Sequence, residues 1–368
     1  MVTVKQSVYD DFVCIADKCP DTCCKGWEIG VDEEAMQRFK DYNGPMKTYI
    51  DWAVDYKKGV IRFDRDGMCS LLNSAGLCSL VLEEGEDFIC DICHTYPRHV
   101  EEYEGVREYS LSLSCPYATH LIVSEEKASY KVEEDDTPDP LEEDFEDFDL
   151  LLYTKIEDSR NVLYSIIQMR RIPLIDRMRL CLTLADKLQE LLNADEIYKM
   201  DDIISEWSQL NFSDIDYSDI IAGIIPDTYD YFCDNYTLLE KMELLRDDWT
   251  DILRSARKLI MIGREGYEKA VAKCCDPLTE KNKEHYLENV LMAQIYTYYL
   301  GAVYDDSLYA KVAMSVFFVL MAEFLTLAEG MDSKLGISPE RYEMIIYRLA
   351  REFEHSDVNL DLADKWFS

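Results

Sequence analysis

The chain is short of positive charge, of glycine and of long apolar runs, and each shortage narrows what it can be. Against 74 Asp and Glu stand 38 Lys and Arg, a net charge of −36. Phosphate binding is driven by Lys and Arg, so this balance argues against nucleic acid and against anionic membrane surfaces as partners. A basic or lysine-bearing partner is attracted instead, and solubility alone also accounts for the charge. Only 14 glycines occur in 368 residues, and no two are separated by a single residue. The G-x-G loop of doubly wound cofactor-binding folds is therefore absent. The longest apolar run, Val312 to Ala328, carries Glu323 and falls short of the roughly 20 residues of a membrane span, so it reads as a buried helix. The opening residues, Met1-Val2-Thr3-Val4-Lys5-Gln6, hold no apolar stretch of the secretory kind. A cytoplasmic protein with reduced thiols is expected.

Cysteine is what the chain has in quantity. Nine of its 13 cysteines fall in the first 115 residues, as Cys14-x4-Cys19-x3-Cys23-Cys24, then Cys69-x8-Cys78-x11-Cys90-x2-Cys93, then Cys115. Closely spaced thiols on irregular backbone can converge on one centre, with Gly26, Gly30, Gly67, Gly76 and Gly85 letting the chain turn around it. Structural zinc and cubane iron–sulfur clusters each take four ligands. Nine candidates exceed one site, which leaves two sites or some packed thiols. Cys23 and Cys24 are neighbours whose side chains diverge, so both serving one metal is unfavourable. Cys19-x3-Cys23 opens like the C-x3-C-x2-C loop of radical enzymes, but Cys24 follows without a spacer and no alternating βα pattern comes after. Cys181, Cys233, Cys274 and Cys275 lie in helical surroundings and read as packed hydrophobes. His94 could be a ligand, though a surface role suits it better. His99, His120, His285 and His355 show no paired spacing, and Arg98 either binds a carboxylate or caps local backbone.

The expected fold is mainly α. Residues 1–124 form an irregular cysteine-rich metal-binding domain with short helices and strands, 125–149 an acidic linker, and 150–368 an all-helical domain. In the first part, Val60 to Phe63 and Tyr109 to Leu113 look extended, and helices are expected over Glu33 to Tyr42 and Pro116 to Ser124. The stretch Glu125 to Asp149 carries 13 acidic residues against two Lys, with Pro138 and Pro140 inside, as a solvated boundary would. Beyond it, Leu180, Leu184, Leu188 and Leu191 mark one helix face; Leu238, Met242, Leu245, Trp249 and Ile252 mark another. Thr237-Leu238-Leu239-Glu240 has capping-box form at the start of that second helix, and Gly263 suits its end. Ser338-Pro339 places a hydroxyl before a first-turn proline. The tail Lys365-Trp366-Phe367 is expected to dock on a core face.

Several blocks together carry a resemblance: Asp17-Lys18-Cys19-Pro20-Asp21-Thr22-Cys23-Cys24-Lys25-Gly26-Trp27, Met68-Cys69-Ser70-Leu71-Leu72, Gly76-Leu77-Cys78, Cys93-His94-Thr95-Tyr96-Pro97-Arg98 and Ser110-Leu111-Ser112-Leu113-Ser114-Cys115-Pro116. In order and spacing they resemble the flagellin lysine N-methylases, a group of bacterial cysteine-cluster proteins. Gln168-Met169-Arg170-Arg171 and Ile175-Asp176-Arg177-Met178 add to the likeness, which covers about residues 9–195 well and the remainder weakly. The resemblance implies a cytoplasmic enzyme that methylates lysine side chains of flagellin or another lysine-bearing protein. It implies S-adenosylmethionine as donor and an iron–sulfur cluster, of the cubane type, on the cysteines. The family pattern maps onto Cys14, Cys19, Cys23, Cys24, Cys69, Cys78, Cys93 and Cys115, leaving Cys90 as extra. Which four bind is open.

Methyl transfer to lysine needs a neutral amine, yet free lysine has a pKa of about 10.4. A dry pocket or a nearby base has to remove the proton. Tyr, Asp and Glu are the available bases. Tyr296, Tyr298, Tyr299, Tyr304 and Tyr309 could wall a lysine stem by cation–π contact, or simply pack one helix face, which is the favoured reading. With no glycine loop, an open iron of the cluster is the expected donor site. The competing reading is a non-catalytic zinc- or iron–sulfur-binding protein whose helical domain is an interaction module.

Overall fold

The computed structural model describes residues 1–134, 145, 148–274, 277–332 and 337–368. Its sheet strands are β1 (Val2–Gln6), β2 (Val54–Asp55), β3 (Val60–Ile61), β4 (Arg98–Tyr103), β5 (Val106–Leu111) and β6 (Tyr130–Glu134). In the first part the helices are α1 (Glu33–Asp41), α2 (Lys47–Ala53), α3 (Ser79–Glu84), α4 (Asp91–Thr95) and α5 (Pro116–Ser124). The second part runs α6 (Leu150–Ile167), α7 (Leu174–Asn193), α8 (Met200–Gln209), α9 (Thr228–Lys241), α10 (Trp249–Met261), α11 (Gly263–Cys274) and α12 (Pro277–Tyr298). It closes with α13 (Ala302–Asp305), α14 (Leu308–Asp332), α15 (Pro339–Glu354) and α16 (Asp357–Phe367). The mainly helical class is as expected.

Four strands form a mixed sheet in the order β4-β5-β1-β6, with β1 parallel to β5 and antiparallel to β6. The acidic segment read as a linker therefore begins as structure. Tyr130 to Glu134 pair with β1 as an edge strand whose charged side chains face solvent, a common way to blunt an edge. Residues 135–144 and 146–147 of that segment, Cys275, and the side chain of Cys274 lie outside the description.

The division into cores also departs from a boundary at 124. A small core gathers Ile29, Phe39, Ile50, Ile61, Leu71 and Leu80 with Cys69 and Cys90. The sheet and α5 instead join the helical part in one large core, which runs from Phe12 through Leu111 and Ile122 to Phe353. The contact is specific. Tyr296 on α12 donates its hydroxyl to the carbonyl of Val4 at 2.8 Å. Arg160 on α6 forms a buried two-armed ion pair with Glu108 on β5, at 2.5 and 2.8 Å.

At the centre lies α14. It is long and apolar enough to cross a membrane by length and composition, yet 89% of its apolar window is buried by neighbouring helices. It packs against α7, α10, α12, α15 and α16. A helix apolar on all sides is a core helix when protein covers it.

The run from Leu238 to Ile252 departs from its periodicity. It is not one helix: α9 ends at Lys241 and α10 starts at Trp249. Between them the backbone N–H of Glu243 is taken by Asn359 at 2.8 Å and that of Leu245 by Glu352 at 3.1 Å, so tertiary partners displace the helical ones. Thr237 is consequently inside α9, whose cap is Asp227, accepting from Asp230 N at 3.0 Å. Gly263 follows α10 with φ +72°, as a helix end requires. Ser338 precedes Pro339 at the start of α15, but its hydroxyl does not cap the backbone. Trp366 and Phe367 dock as expected, through Trp366 Nε1 to Asn235 Oδ1 at 3.0 Å and a ring contact of Phe367 with Phe317 at 5.4 Å.

Candidate functional site

The nine N-terminal cysteines divide between two neighbourhoods, and the division falls between Cys23 and Cys24. Cys24, Cys69, Cys78, Cys90 and Cys93 share the small core. Cys69 N donates to Cys24 O at 2.8 Å, which holds two of the chain segments together, and Cys93 N donates to Cys90 O at 3.0 Å within a single turn. Burial pushes the Cys69 thiol up to about 12, with Cys24, Cys78 and Cys90 adding repulsion. The second neighbourhood is Cys14, Cys19, Cys23 and Cys115, whose thiols lie within each other's electrostatic reach. Between the groups, a Cys23–Cys24 hydrogen bond pulls Cys24 down to about 7 and pushes Cys23 up. Cys90, the cysteine set aside on sequence, stands in the first group, 1% exposed and hydrogen-bonded to Cys93. Among the described residues no three His, Cys, Asp or Glu side chains are arranged to hold a metal ion as they stand. By donor chemistry the sets nonetheless suit zinc or iron, since each offers four or more thiols.

Two arginines from the helical part clamp the loop that carries Cys19, Cys23 and Cys24. Arg351 ion-pairs with Asp21 at 2.8 Å, donates to the Asp21 carbonyl at 2.9 Å, and reaches the Ser114 carbonyl at 2.8 Å. Arg246 holds the other Asp21 oxygen at 2.9 Å. All three side chains are buried at 3–10% exposure. Gly26, at φ +86°, makes this approach possible: a Cβ there would stand 2.8 Å from the Arg246 chain.

Beside this clamp a cavity of about 350 Å³ opens between the two parts of the chain. That is the lower end of the range for small-molecule sites. Its walls include Trp27, Tyr96, Arg98 and Ser112 from the first part, and Thr297, Tyr298, Glu354 and His355 from the second. Trp27 Nε1 donates to the Cys23 carbonyl at 2.6 Å, so the cysteine loop itself positions this wall. The Trp27 ring lies 4.6 Å from that of His355. Ser112 Oγ donates to Glu354 and contacts Ser114 Oγ, which in turn meets Tyr96 OH and His355 Nε2, each at 3.0 Å. Burial raises the Glu354 carboxyl above its ordinary value and pulls His355 down to about 3, leaving a neutral imidazole.

Of the five tyrosines singled out, Tyr298 alone lines the cavity. Tyr296 and Tyr299 are core residues, the latter bonded to Ser159 at 2.9 Å, while Tyr304 is exposed and Tyr309 partly buried. Arg98 caps backbone, donating to the Phe12 carbonyl at 2.9 Å. His94 is exposed and touches the Glu86 carbonyl; His99 pairs with Glu101 and His120 with Glu343. Cys181 is a packed core thiol and Cys233 a partly exposed one. Glu354, His355, Arg351, Ser112 and Trp27 escaped notice as site residues. One signal was present: Ser110, Ser112 and Ser114 alternate with leucines, a pattern that sets hydroxyls on one face of an extended chain, although β5 ends at Leu111 and a turn carries Ser114.

Comparison with known proteins bears on this arrangement. The family description "FliB lysine N-methylase C-terminal domain" matches residues 160–368. That stretch is more than half of the chain and includes Tyr298, Arg351, Glu354 and His355, where the motif likeness was weaker. A flagellar biosynthetic protein FliU of Salmonella muenchen is 28% identical over 136 residues, covering 34% of this chain and 80% of that protein. A lysine-N-methylase of Salmonella choleraesuis is 28% identical over 136 residues, 34% of each. A lysine-N-methylase of Salmonella typhimurium is 29% identical over 125 residues, 32% of this chain and 31% of that one. The chain thus matches about a third of the length of these two methylases. No solved structure matches it. With more than half of its length matched by the family, the chain belongs to the flagellin lysine N-methylases.

Proposed function

We propose that the protein is a lysine N-methyltransferase that uses S-adenosylmethionine and acts on flagellin or another lysine-bearing protein in a reducing, cytoplasmic setting. The observation that carries this reading is the cavity. It is built jointly by the cysteine loop and the family-matched helices, and it places aromatic rings beside a carboxylate. Aromatic faces hold cations and alkyl stems, and a carboxylate attracts an ammonium. The strongly acidic chain favours a basic partner on approach.

An iron–sulfur cluster belongs to the same proposal. Cys14, Cys19, Cys23 and Cys115 would hold it beside the cavity, or Cys24, Cys69, Cys78 and Cys93, with Cys90, would hold it in the small core. When bound, it supplies an iron able to ligate the donor's amino and carboxylate groups. The protein's own part is positional: the Arg351 and Arg246 clamp fixes the loop, and Trp27 couples that loop to the cavity wall.

A second reading has one observation in its favour. Cys69 and Cys90 lie inside an apolar core, where a structural zinc would hold α1 to α4 together without chemistry. Metal analysis and visible absorption of anaerobically purified protein decide the metal, since a cluster absorbs near 400 nm (about) and zinc does not. Transfer of labelled methyl to flagellin decides the function; none from protein with its metal intact would leave only the second reading.

A further inference from the structure

Glu354 stands at the end of α15 and lines the cavity, and no Lys or Arg pairs with it among the described residues. The one Arg on the wall, Arg98, is committed to the Phe12 carbonyl and lies over the Phe12 ring at 5.1 Å. His99 pairs with Glu101 and, when protonated, also acts on Glu354 across the wall, without a hydrogen bond to it. An ionised carboxylate offers about four acceptor sites; the hydroxyls of Ser112 and Tyr298 donate to it, as do the N–H and hydroxyl of Ser114, all of them neutral groups. A carboxylate withdrawn from water without a cation bonded directly to it is costly, and an ammonium from outside relieves that cost.

We propose that this cavity receives the ammonium end of a substrate lysine and that Glu354 takes its proton. The inference rests on the methyltransferase reading and deepens it. The lysine stem runs between Trp27, Tyr96 and Tyr298, and its ammonium meets Glu354. One N–H bond breaks and the proton moves to a Glu354 oxygen, which leaves a neutral amine. The nitrogen lone pair then attacks the methyl carbon of the sulfonium donor. The C–S bond breaks, its electron pair stays on sulfur, and the product is a methylated ammonium beside a neutral thioether. The proton on Glu354 returns to water by way of the Ser112–Ser114–His355 chain of contacts. Burial supports the assignment by raising the Glu354 carboxyl toward the working pH of a base.

The test uses the full chain, purified anaerobically, as wild type and Glu354→Gln. Binding is read with Nα-acetyl-lysine methylamide and its norleucine analogue, which has no amine. Wild type should prefer the amine at least about tenfold, and Glu354→Gln should lose that preference. Transfer to a lysine peptide at neutral pH should fall about 100-fold or more in the variant. A peptide carrying an alkoxyamine in place of the lysine amine is already neutral at that pH. It should restore the variant to within a few fold of wild type, which a merely structural role would not produce. If Glu354→Gln fails to fold, Glu354→Asp keeps the acid, shifts it by one methylene and should show an intermediate loss. Wild-type transfer and amine preference retained in Glu354→Gln would overturn the inference. Amine preference that depends on Glu354, without methyl transfer by wild type, would support the pocket and sink the methyltransferase reading.

Discussion

Replacing Arg351 by Met should loosen the cysteine loop more than any other single change outside it. The side chain is 3% exposed and makes three contacts to the first part of the chain: to the Asp21 carboxylate, to the Asp21 carbonyl and to the Ser114 carbonyl. Met fills a similar volume, so packing is largely kept and the charge is what goes. Breaking a buried pair from one side costs about 3–5 kcal/mol, because the partner is left without its counter-charge. Here Arg246 still holds Asp21 at 2.9 Å, which points to the lower end, about 3 kcal/mol. Since about 1.4 kcal/mol is a factor of ten, amide exchange over residues 19–24 should quicken about a hundredfold. Arg351 also favours the thiolates of Cys19 and Cys115, so both should become weaker acids in the variant. Urea unfolding reads the global loss and hydrogen exchange the local one. A stability change under about 1 kcal/mol with unchanged exchange at 19–24 would refute the clamp.

Two other changes test the framework around the site. Burial pushes the Glu352 carboxyl up to about 7, with Asp248 and Glu243 raising it and the Leu245 N–H and Arg246 lowering it. An unfolded Glu titrates near about 4.3. Between those values the native chain keeps a proton that the unfolded chain releases, so stability falls as pH rises from about 4.5 to 7, by about 3 kcal/mol. Glu352→Gln should remove that slope; urea midpoints at pH 5 and 8 (about) that differ as much in the variant as in wild type would contradict it. Arg160→Met should cost about 3–5 kcal/mol by stranding Glu108 in the core, and a double-mutant cycle with Glu108→Gln should show strong coupling. Additive effects of the two would mean that the pair carries no specific energy.

Local signals carried much of the fold, and long-range ones were hidden. The helices over Glu33 to Asp41 and Pro116 to Ser124 follow their sequence boundaries because local chemistry sets them: Asp32 caps Ala35 N at 2.7 Å, and Pro116 opens the first turn of α5. The break between α9 and α10 was not legible, because Asn359 and Glu352, more than a hundred residues away, create it. Strand β6 was masked by its acid content, since an edge strand tolerates the charges that suggest a linker. The paired cysteines marked where thiols gather, but the side chains of Cys23 and Cys24, expected to diverge, hydrogen-bond to each other instead, and spacing could not say which thiols fold together. The cavity was the least visible, because Trp27, Ser112 and Glu354 lie far apart in the chain and meet only when two layers close. The alternating serines were a partial sign of it.

The activity proposed for this chain is methyl transfer to lysine in the cavity between its two parts. The most direct measurement is transfer from methyl-labelled S-adenosylmethionine to flagellin by the anaerobically purified protein, followed by mapping of the label. The account predicts label on lysine Nζ, lost in Glu354→Gln. Unlabelled lysines with the metal content intact, or label undiminished in that variant, would contradict it.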